Sequence, residues 1–268
     1  MKQLSSYGVT EMQVYWLERT ESDLPPANDW LSTAETICLA GLRFAKRRDD
    51  WRLGRWTAKQ AVASYLNLPD NCSDLARIEI RPAASGAPEA FVDNFRASAT
   101  ISLSHRNGRA LCAVAPSGVD LGCDLEIVEP RSEAFVADYF TTEEQELIAS
   151  TSPADKSQMV ALFWSAKESA LKALREGLRL DTRSVSVTLA DSSGAAARWN
   201  PLSVRTLDGS SFRGWWRNSN GILRTLVANP SPELPLPIDA AVCCSDNRPF
   251  DLHKRDRSIK KNVSPLEL

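Results

Sequence analysis

The chain has 268 residues, of which 43% are hydrophobic, and its 32 basic and 34 acidic side chains give a formal net charge of -2. A chain of this length and composition can bury a substantial core in one large domain or two small ones. The balanced charge excludes a global field that would recruit nucleic acid or an anionic membrane, so any anion binding must be local.

The cysteines and the first residues favour a reduced, cytoplasmic protein. The six cysteines contain no CxxC pair, and the only two histidines, His105 and His253, complete no zinc pattern with them. No apolar signal run opens the chain, and no long apolar segment follows. We also identify no internal repeat in the sequence.

The first third of the chain predicts a strand near residues 14–17, a helix near 34–42 and a long helix from 44 to 66. On the long helix four cations recur along one face: Arg48, Arg52, Arg55 and Lys59. Arginine side chains match phosphate oxygens well, so this face predicts a phosphate site. The alternative is a solvated face softened by the nearby Asp49 and Asp50.

A loop and a hairpin follow. After a short strand at residues 78–80, the turn-rich stretch 81–88 contains Gly86, which permits close backbone approach. Residues 101–105 and 110–115 predict two strands joined by an Asn-Gly turn at 107–108. His105 then lies at the hairpin tip, either as a capped surface residue or, with Ser104 and Arg106, as an anion contact.

The next strand, residues 119–127, places two carboxylates on one face. Because side chains alternate along a strand, Asp124 and Glu126 point the same way, about 7 Å apart at their alpha carbons. Gly122 leaves space beside them, and Mg²⁺ held by carboxylates and substrate phosphates would relieve their repulsion. The alternative is an exposed face of an edge strand.

Two helices come next. A capping box at residues 141–146 opens the first, whose acids suit the helix dipole and need no further role. The second is expected from about residue 157 past Leu174, with Gly177 as its C-cap. Lys167 lies in its apolar stripe and needs an anion unless it snorkels out. Glu168 and Lys172 lie one turn apart beside Trp164, which alone predicts a weak surface ion pair.

The last part predicts an antiparallel sheet from residues 184–189, 202–207 and 224–227, with turns at 191–194, 208–209 and 220–221. Four prolines between 230 and 237 predict an extended segment. Past Asp246 the charged tail is expected to be disordered and receives no activity.

Taken in order, the basic helix, the Gly-Pro loop, Ser104-His105, Gly122-Cys123-Asp124-Leu125-Glu126 and Trp164-Ser165-Ala166-Lys167-Glu168-Ser169 with Lys172 resemble a known family. They are similar to the long 4'-phosphopantetheinyl transferases of the surfactin-synthetase-activating type, over residues 44 to 187. The resemblance implies an α+β fold with two pseudo-symmetric lobes, each a small antiparallel sheet packed on a long helix. It implies an N-terminal lobe at 1–116, a C-terminal lobe at 117–230 and a Pro-rich segment and tail at 231–268.

The activity that the resemblance implies is transfer of the 4'-phosphopantetheine arm of coenzyme A to a serine of an apo acyl or peptidyl carrier protein. The products would be the holo carrier and adenosine 3',5'-bisphosphate, and the reaction would depend on Mg²⁺. The implied partners are coenzyme A and carrier proteins, with no nucleic acid and no membrane, and the implied state is a monomer.

The resemblance also implies roles for individual residues. The catalytic residues would be Glu168, Lys172 and Asp124. The magnesium ligands would be Asp124, Glu126 and Glu168. The coenzyme A contacts would be Arg43, Arg47, Arg48, Arg55, Ser85, Gly86, Pro88, Ser104, His105, Lys167 and Lys172.

One position departs from the family pattern, because the loop reads Gly86-Ala87-Pro88 where the family commonly has Gly-Lys-Pro. Either a neighbour such as Arg81 replaces the missing cation or coenzyme A binds more weakly. Two other functions remain open. The chain is alternatively an inactive relative that holds a carrier or a nucleotide, or a nucleic-acid-binding protein that uses the basic helix.

Overall fold

The computed structural model describes residues 12–176, 179–190 and 198–238. Its helices are α1 (Thr33–Gly41), α2 (Ala45–Tyr65), α3 (Cys72–Leu75), α4 (Glu133–Tyr139), α5 (Thr142–Ser150) and α6 (Lys156–Ala173). Its strands are β1 (Tyr15–Thr20), β2 (Ile78–Pro82), β3 (Pro88–Val92), β4 (Phe95–Arg96), β5 (Ala99–Arg106), β6 (Arg109–Pro116), β7 (Asp120–Ile127), β8 (Val185–Leu189), β9 (Asn200–Thr206), β10 (Ser211–Ser219), β11 (Ile222–Asn229) and β12 (Leu236–Pro237). The fold is α+β, as expected.

The first lobe, from β1 to β6, packs its strands on α2. Its strands form one sheet in the order β12-β1-β6-β5 and a smaller sheet in the order β2-β3-β4. Ala58, Ala61 and Val62 are fully buried on the inner face of α2, which explains why the helical pattern was visible in the sequence. These residues form one core with the surrounding strands.

The second lobe, from β7 to β11, packs α6 on a five-stranded sheet in the order β7-β11-β10-β9-β8. The contact between α6 and β7 depends on Gly122. A Cβ added there would lie 1.7 Å from the backbone oxygen of Ser169. Only glycine therefore allows α6 to approach this closely, and the approach sets the distance between the side chains of β7 and those of α6.

The two lobes are joined where β5 meets β7. Ser102 Oγ accepts a hydrogen bond of 3.0 Å from the amide of Cys123, and Ser104 Oγ accepts one of 3.2 Å from the amide of Leu125. Side chains of the first lobe thus satisfy backbone groups of the second lobe's first strand. This join brings the end of β5 next to the acidic stretch of β7.

A buried ion pair ties the helices of the first lobe to its small sheet. Lys59 on α2 is 0% exposed and pairs with Glu35 on α1, which is 5% exposed. The Lys59 ammonium also donates to Trp30 O at 2.9 Å. Glu35 caps the start of α1 with Ser32 and accepts a hydrogen bond of 3.1 Å from the amide of Ile80 on β2.

The second lobe contains a similar buried ion pair. Lys167 on α6 is 0% exposed and pairs at 2.8 Å with Glu144 on α5, which is 2% exposed. Its ammonium donates to Thr182 O and Val185 O, which precede and begin β8, whereas Lys59 donates to Trp30 O before α1. Glu144 caps α5 with Thr141 and accepts a hydrogen bond of 3.0 Å from the amide of Val187 on β8. The two lobes are therefore pseudo-symmetric in the contacts of the buried lysine and the capping glutamate.

This symmetry corrects the expectation that the sequence contains no internal repeat. Superposing Lys59 on Lys167 aligns Trp56-Thr57-Ala58-Lys59-Gln60 with Trp164-Ser165-Ala166-Lys167-Glu168. The repeat is short and only partly identical, so the sequence alone does not draw attention to it. The structure reveals it because each lysine is buried against a helix-capping glutamate.

Most expected elements are present. The sequence interpretation did not predict α3, α4, β3, β4 and β10, and the expected loop at residues 81–88 overlaps the end of β2 and the start of β3. The segment after β11 turns back to the first lobe, where β12 pairs in parallel with β1. Helix α6 ends at Ala173, with Leu174 as its C-cap. The expected C-cap Gly177, the turn at 191–194 and the tail past Asp246 lie outside the described residues.

Within the described ranges, no helix is long and apolar enough to cross a membrane.

Candidate functional site

A cavity of about 920 Å³ lies between the two lobes and collects most of the residues singled out from the sequence. The predicted residues that line it are Arg47, Arg55, Gly86, Pro88, Ser104, His105, Asp124, Glu126, Glu168 and Lys172. Four other predicted residues, Arg43, Arg48, Ser85 and Lys167, are not part of its lining.

Two carboxylates of β7 form the floor of the cavity. Asp124 is 4% exposed and Glu126 is 9% exposed. Asp124 Oδ1 accepts hydrogen bonds from Ser104 Oγ at 2.8 Å and from Lys172 Nζ at 2.7 Å. The other oxygens, Asp124 Oδ2 and Glu126 Oε2, are buried and accept no hydrogen bond. Buried oxygens in this state are costly unless a cation or donor reaches them, so this is where a ligand would be stabilised.

Helix α6 supplies the side wall. Glu168 and Lys172 both line the cavity, one helical turn apart, beside the β7 carboxylates. Lys172 Nζ also donates to Cys123 O at 3.1 Å. Trp164, one turn before Glu168, donates through Nε1 to Glu126 Oε1 at 3.2 Å. The helix therefore holds one oxygen of each strand carboxylate and leaves the other unbonded.

Two of the cavity carboxyls, Glu126 and Glu168, have raised pKa values. Burial raises the pKa of Glu126 above the ordinary 4.5, and Asp124 adds to the rise, whereas Arg106 and Arg131 lower it. Burial also raises the pKa of Glu168, with Lys172 lowering it and Asp124 and Glu126 raising it. Mutual repulsion in a buried site favours an added cation.

Two arginines stand beside Glu126: Arg106, which the sequence interpretation named only as a candidate anion contact, and Arg131, which it did not assign. Arg106 Nε lies 3.6 Å and Arg131 Nη2 lies 3.5 Å from Glu126 Oε2. Both arginines also pair with Glu129, at 3.1 Å and 3.2 Å. The alternation that selected Asp124 and Glu126 ends with the strand at Ile127, so no periodic signal reaches residues 129 and 131.

The first lobe contributes cations to the opposite wall, but fewer than the helical stripe predicted. Arg47 and Arg55 line the cavity, and the guanidinium of Arg55 lies 4.8 Å over the Trp51 ring. Arg55 Nε is buried, donates no hydrogen bond and lies 3.9 Å from Glu35 Oε1. The guanidinium is therefore shared between that carboxylate and the cavity that Arg55 lines.

The other members of the stripe are used inside the lobe. Arg48 donates to Leu42 O at 3.2 Å and to Arg43 O at 3.1 Å. Arg52 donates to Pro25 O at 2.7 Å, and Lys59 is the buried partner of Glu35. The regular spacing of the four cations identified one face of α2. Of these four, Arg55 lines the cavity, whereas Arg48, Arg52 and Lys59 make contacts inside the lobe.

The loop after β2 supplies Gly86 and Pro88 to the rim of the cavity. Gly86 has a φ of 90°, a conformation that favours glycine. Arg81, expected to replace the cation missing at Ala87, instead bonds Glu79 at 2.7 Å and Asn94 at 2.6 Å. At the rim, His105 is exposed.

Lys167 lies on the other side of α6 from the cavity, fully buried against Glu144. The anion that the sequence interpretation required for this lysine exists, but it is a carboxylate of the same lobe. This placement separates Lys167 from the coenzyme A contacts that the resemblance implied.

No group of three or more His, Cys, Asp or Glu side chains in the described ranges converges closely enough to hold a metal ion. The two unbonded oxygens of Asp124 and Glu126 nevertheless suit a hard cation, because carboxylate oxygen is the ligand type that Mg²⁺ prefers. The donor set therefore fits magnesium in chemistry, and Glu168 is the adjacent third carboxylate.

Comparison with known proteins points to one superfamily. Residues 120–219 match the 4'-phosphopantetheinyl transferase superfamily. The chain is 28% identical over 165 residues to the 4'-phosphopantetheinyl transferase HetI of Nostoc sp., a match that covers 60% of this chain and 67% of HetI. It is 25% identical over 165 residues to a putative 4'-phosphopantetheinyl transferase of Synechocystis sp., covering 61% of this chain and 65% of that protein. The match thus spans about two thirds of each relative.

Proposed function

We propose that the protein is a magnesium-dependent transferase that moves the 4'-phosphopantetheine arm of coenzyme A to a serine of an apo acyl or peptidyl carrier protein. The holo carrier and adenosine 3',5'-bisphosphate are its products. The superfamily match at residues 120–219 contains the acidic strand and all of α6, including Glu168 and Lys172. The surfactin-synthetase-activating subtype belongs to the proposal as well.

The observation that carries the proposal is the division of charge in the cavity. Carboxylates with unbonded oxygens form the floor, and Arg47 and Arg55 line the wall across from α6. A diphosphate with a bound cation satisfies both sets at once, because its oxygens meet the arginines while the metal meets the carboxylates. A neutral substrate satisfies neither.

The cations of the cavity bind and orient the phosphates of coenzyme A. Lys172 reaches the pyrophosphate, and Arg47 and Arg55 are the phosphate contacts from the first lobe. Gly86 and Pro88 hold the nucleotide at the rim, and His105 lies at the end that receives the adenosine and its 3'-phosphate. Phosphoryl transfer needs little covalent help from the protein, so positioning and charge neutralisation supply most of the rate.

Ser104 has a different role from the direct phosphate contact that the resemblance implied. Its hydroxyl accepts from the amide of Leu125 and donates to Asp124 Oδ1. Ser104 therefore holds Oδ1 of Asp124 and leaves Oδ2 without a hydrogen bond.

Asp124, Glu126 and Glu168 would hold Mg²⁺, which when bound neutralises the pyrophosphate. Glu168 also accepts the proton of the carrier serine, directly or through a water. Burial and its acidic neighbours raise the pKa of this carboxyl, which makes it a better base than an exposed glutamate, whereas Lys172 moderates the rise.

One experiment separates this function from its alternatives. The protein is incubated with coenzyme A, Mg²⁺ and apo carriers from fatty-acid, polyketide and peptide-synthetase systems, and the mass of each carrier is followed. We expect an added phosphopantetheine on at least one carrier, and its absence from all of them would refute the proposal. Calorimetric binding of coenzyme A without any mass change would identify an inactive relative instead, and salt-sensitive association with DNA or RNA would favour the nucleic-acid reading.

The lobe boundaries at 116 and 230, the monomeric state and the cytoplasmic location stay predictions.

A further inference from the structure

The two long helices end in the same backbone motif. At the end of α2, Asn67 has a φ of 54°, its amide donates to Ser64 O at 3.2 Å, and the amide of Leu68 donates to Ala63 O at 2.8 Å. At the end of α6, Arg175 has a φ of 60°, its amide donates to Lys172 O at 3.0 Å, and the amide of Glu176 donates to Leu171 O at 3.1 Å. Both ends have the Schellman hydrogen-bond pattern.

The residue types at the two equivalent positions differ. Glycine is the usual residue in this left-handed conformation, and asparagine is the common substitute. Asn67 therefore follows the rule, whereas Arg175 does not. An arginine held in an unfavourable backbone conformation calls for a contact made by its side chain.

The side chain of Arg175 reaches the other lobe. Its Nη1 lies 3.7 Å from Glu89 Oε1, at the start of β3. Arg179 donates to Arg175 O at 3.1 Å and to Ser85 O at 3.3 Å. The two arginines thus contact the loop that carries Gly86 and Pro88 in its middle, at Ser85, and just past its end, at Glu89.

The loop has its own internal bonds, but they do not attach it to the second lobe. The amide of Gly86 donates to Ala83 O, and the amide of Ala83 donates to Ala87 O, each at 2.8 Å. These bonds shape the turn, whereas Arg175 and Arg179 hold it beside α6. The same helix carries Glu168 and Lys172, so one rigid element positions both the acids and the loop.

We propose that Arg175 is a positioning residue that, with Arg179, holds the loop of residues 83–88 against the cavity. The identity of the ligand in this inference, coenzyme A, rests on the proposed function. Arg175 does not itself line the cavity. Its contact with Glu89 fixes the position of the loop relative to Lys172.

Arg175→Gly tests the inference, with Asn67→Gly as the matched control. Both substitutions place glycine in a left-handed helix end, so neither is expected to lower the unfolding midpoint. Arg175→Gly is expected to raise KM for coenzyme A by about threefold to tenfold with little change in kcat, because the loop contributes ground-state binding. Asn67→Gly is expected to leave both constants unchanged.

Amide hydrogen exchange gives a readout that does not require activity. In the free protein, Arg175→Gly is expected to speed exchange at the amides of residues 83–87, and Asn67→Gly is not. Unchanged exchange and KM in Arg175→Gly, or equal changes in both variants, would overturn the inference. If the wild-type protein transfers no phosphopantetheine, the proposed function is refuted. The hydrogen-exchange result would still decide whether Arg175 holds the loop of residues 83–88 in place.

Discussion

The acidic face of the second lobe, formed by Asp124, Glu126 and Glu168 beside Lys172, has a counterpart in the first lobe. The residue types at these four positions differ between the two lobes. Strands β1 and β7 are equivalent because each pairs antiparallel with the last strand of its lobe. In these registers Leu17 stands where Asp124 stands, and Arg19 stands where Glu126 stands. On the helices, Gln60 aligns with Glu168 and Ser64 with Lys172.

The counterpart positions contact each other. Arg19 Nε donates to Gln60 Oε1 at 2.8 Å, joining the two positions that are carboxylates in the second lobe. Neither residue lines the 920 Å³ cavity. The two lobes thus share the buried Lys-Glu pairs, whereas the residues proposed to carry the chemistry differ between them.

The sharpest way to test this division is to exchange the helix residues between lobes. Glu168→Gln copies Gln60 into the acidic face and is expected to lower kcat by about 10² to 10⁴, the usual contribution of a general base. Gln60→Glu is the matched control, and it is expected to leave kcat unchanged because Gln60 does not line the cavity and lies beside the cation of Arg19. Steady-state kinetics with an apo carrier measures both.

Circular dichroism controls for folding in both variants. A similar loss of activity in both, or none in Glu168→Gln, would contradict the assignment of chemistry to the second lobe.

A second test concerns the buried lysines. The comparison predicts that Lys59 and Lys167 contribute equally to the free energy of unfolding. Removing one partner of a buried ion pair leaves the other charge uncompensated, so Lys59→Met and Lys167→Met are each expected to cost about 3 to 5 kcal/mol in free energy of unfolding. Urea titration measures the loss. Adding Glu144→Gln to Lys167→Met should restore part of it.

Lys167→Met also separates structure from ligand binding. We expect KM for coenzyme A to be unchanged in the folded variant, because Lys167 lies away from the cavity. A large rise in KM without loss of stability would return this lysine to the coenzyme A contacts.

The smallest expected effect is the response of the acidic face to Mg²⁺ and pH. Burial raises the pKa of Glu126 and Glu168 in the free protein, so their protonated forms contribute stability that is complete below pH 4.5 and is lost as pH rises through the folded-state pKa values. Mg²⁺ binds the ionised forms. Thermal unfolding at about pH 8 should show a gain of about 2.7 kcal/mol at a Mg²⁺ concentration 100-fold above Kd.

Protons compete with the metal for these carboxylates, so the gain should shrink at about pH 5. Asp124→Asn should reduce the Mg²⁺-dependent gain in stability at both pH values. An equal gain at both pH values, or in the variant, would mean that Mg²⁺ binds elsewhere.

Local patterns in the sequence identified the candidate site residues in pairs, because the members of each pair lie on one strand or one helix. Strand alternation selected Asp124 with Glu126, and helical spacing selected Glu168 with Lys172. That the two pairs meet depends on Gly122 and on the join between β5 and β7, which are long-range contacts. The family resemblance, and not periodicity, supplied that step.

The misses have the same origin. The helical wheel correctly showed that Lys167 needs an anion, but the anion is Glu144, which had been explained by the helix dipole alone. Helix α4 escaped notice because it is only seven residues long and buries no residue fully, so Phe135, Val136 and Tyr139 make too short an apolar pattern. Strand β10 was hidden because Gly214 and three arginine or asparagine positions interrupt its alternation.

The close approach at Gly122 makes the spacing of the acids independent of side-chain volume. Helix α6 meets β7 backbone to backbone, so no core side chain acts as a spacer between Asp124 and Glu168. Substitutions that enlarge or shrink the second lobe's core elsewhere can therefore accumulate without changing the register of the acids. Sequences with very different cores can keep the same reactive geometry, provided that the glycine is retained.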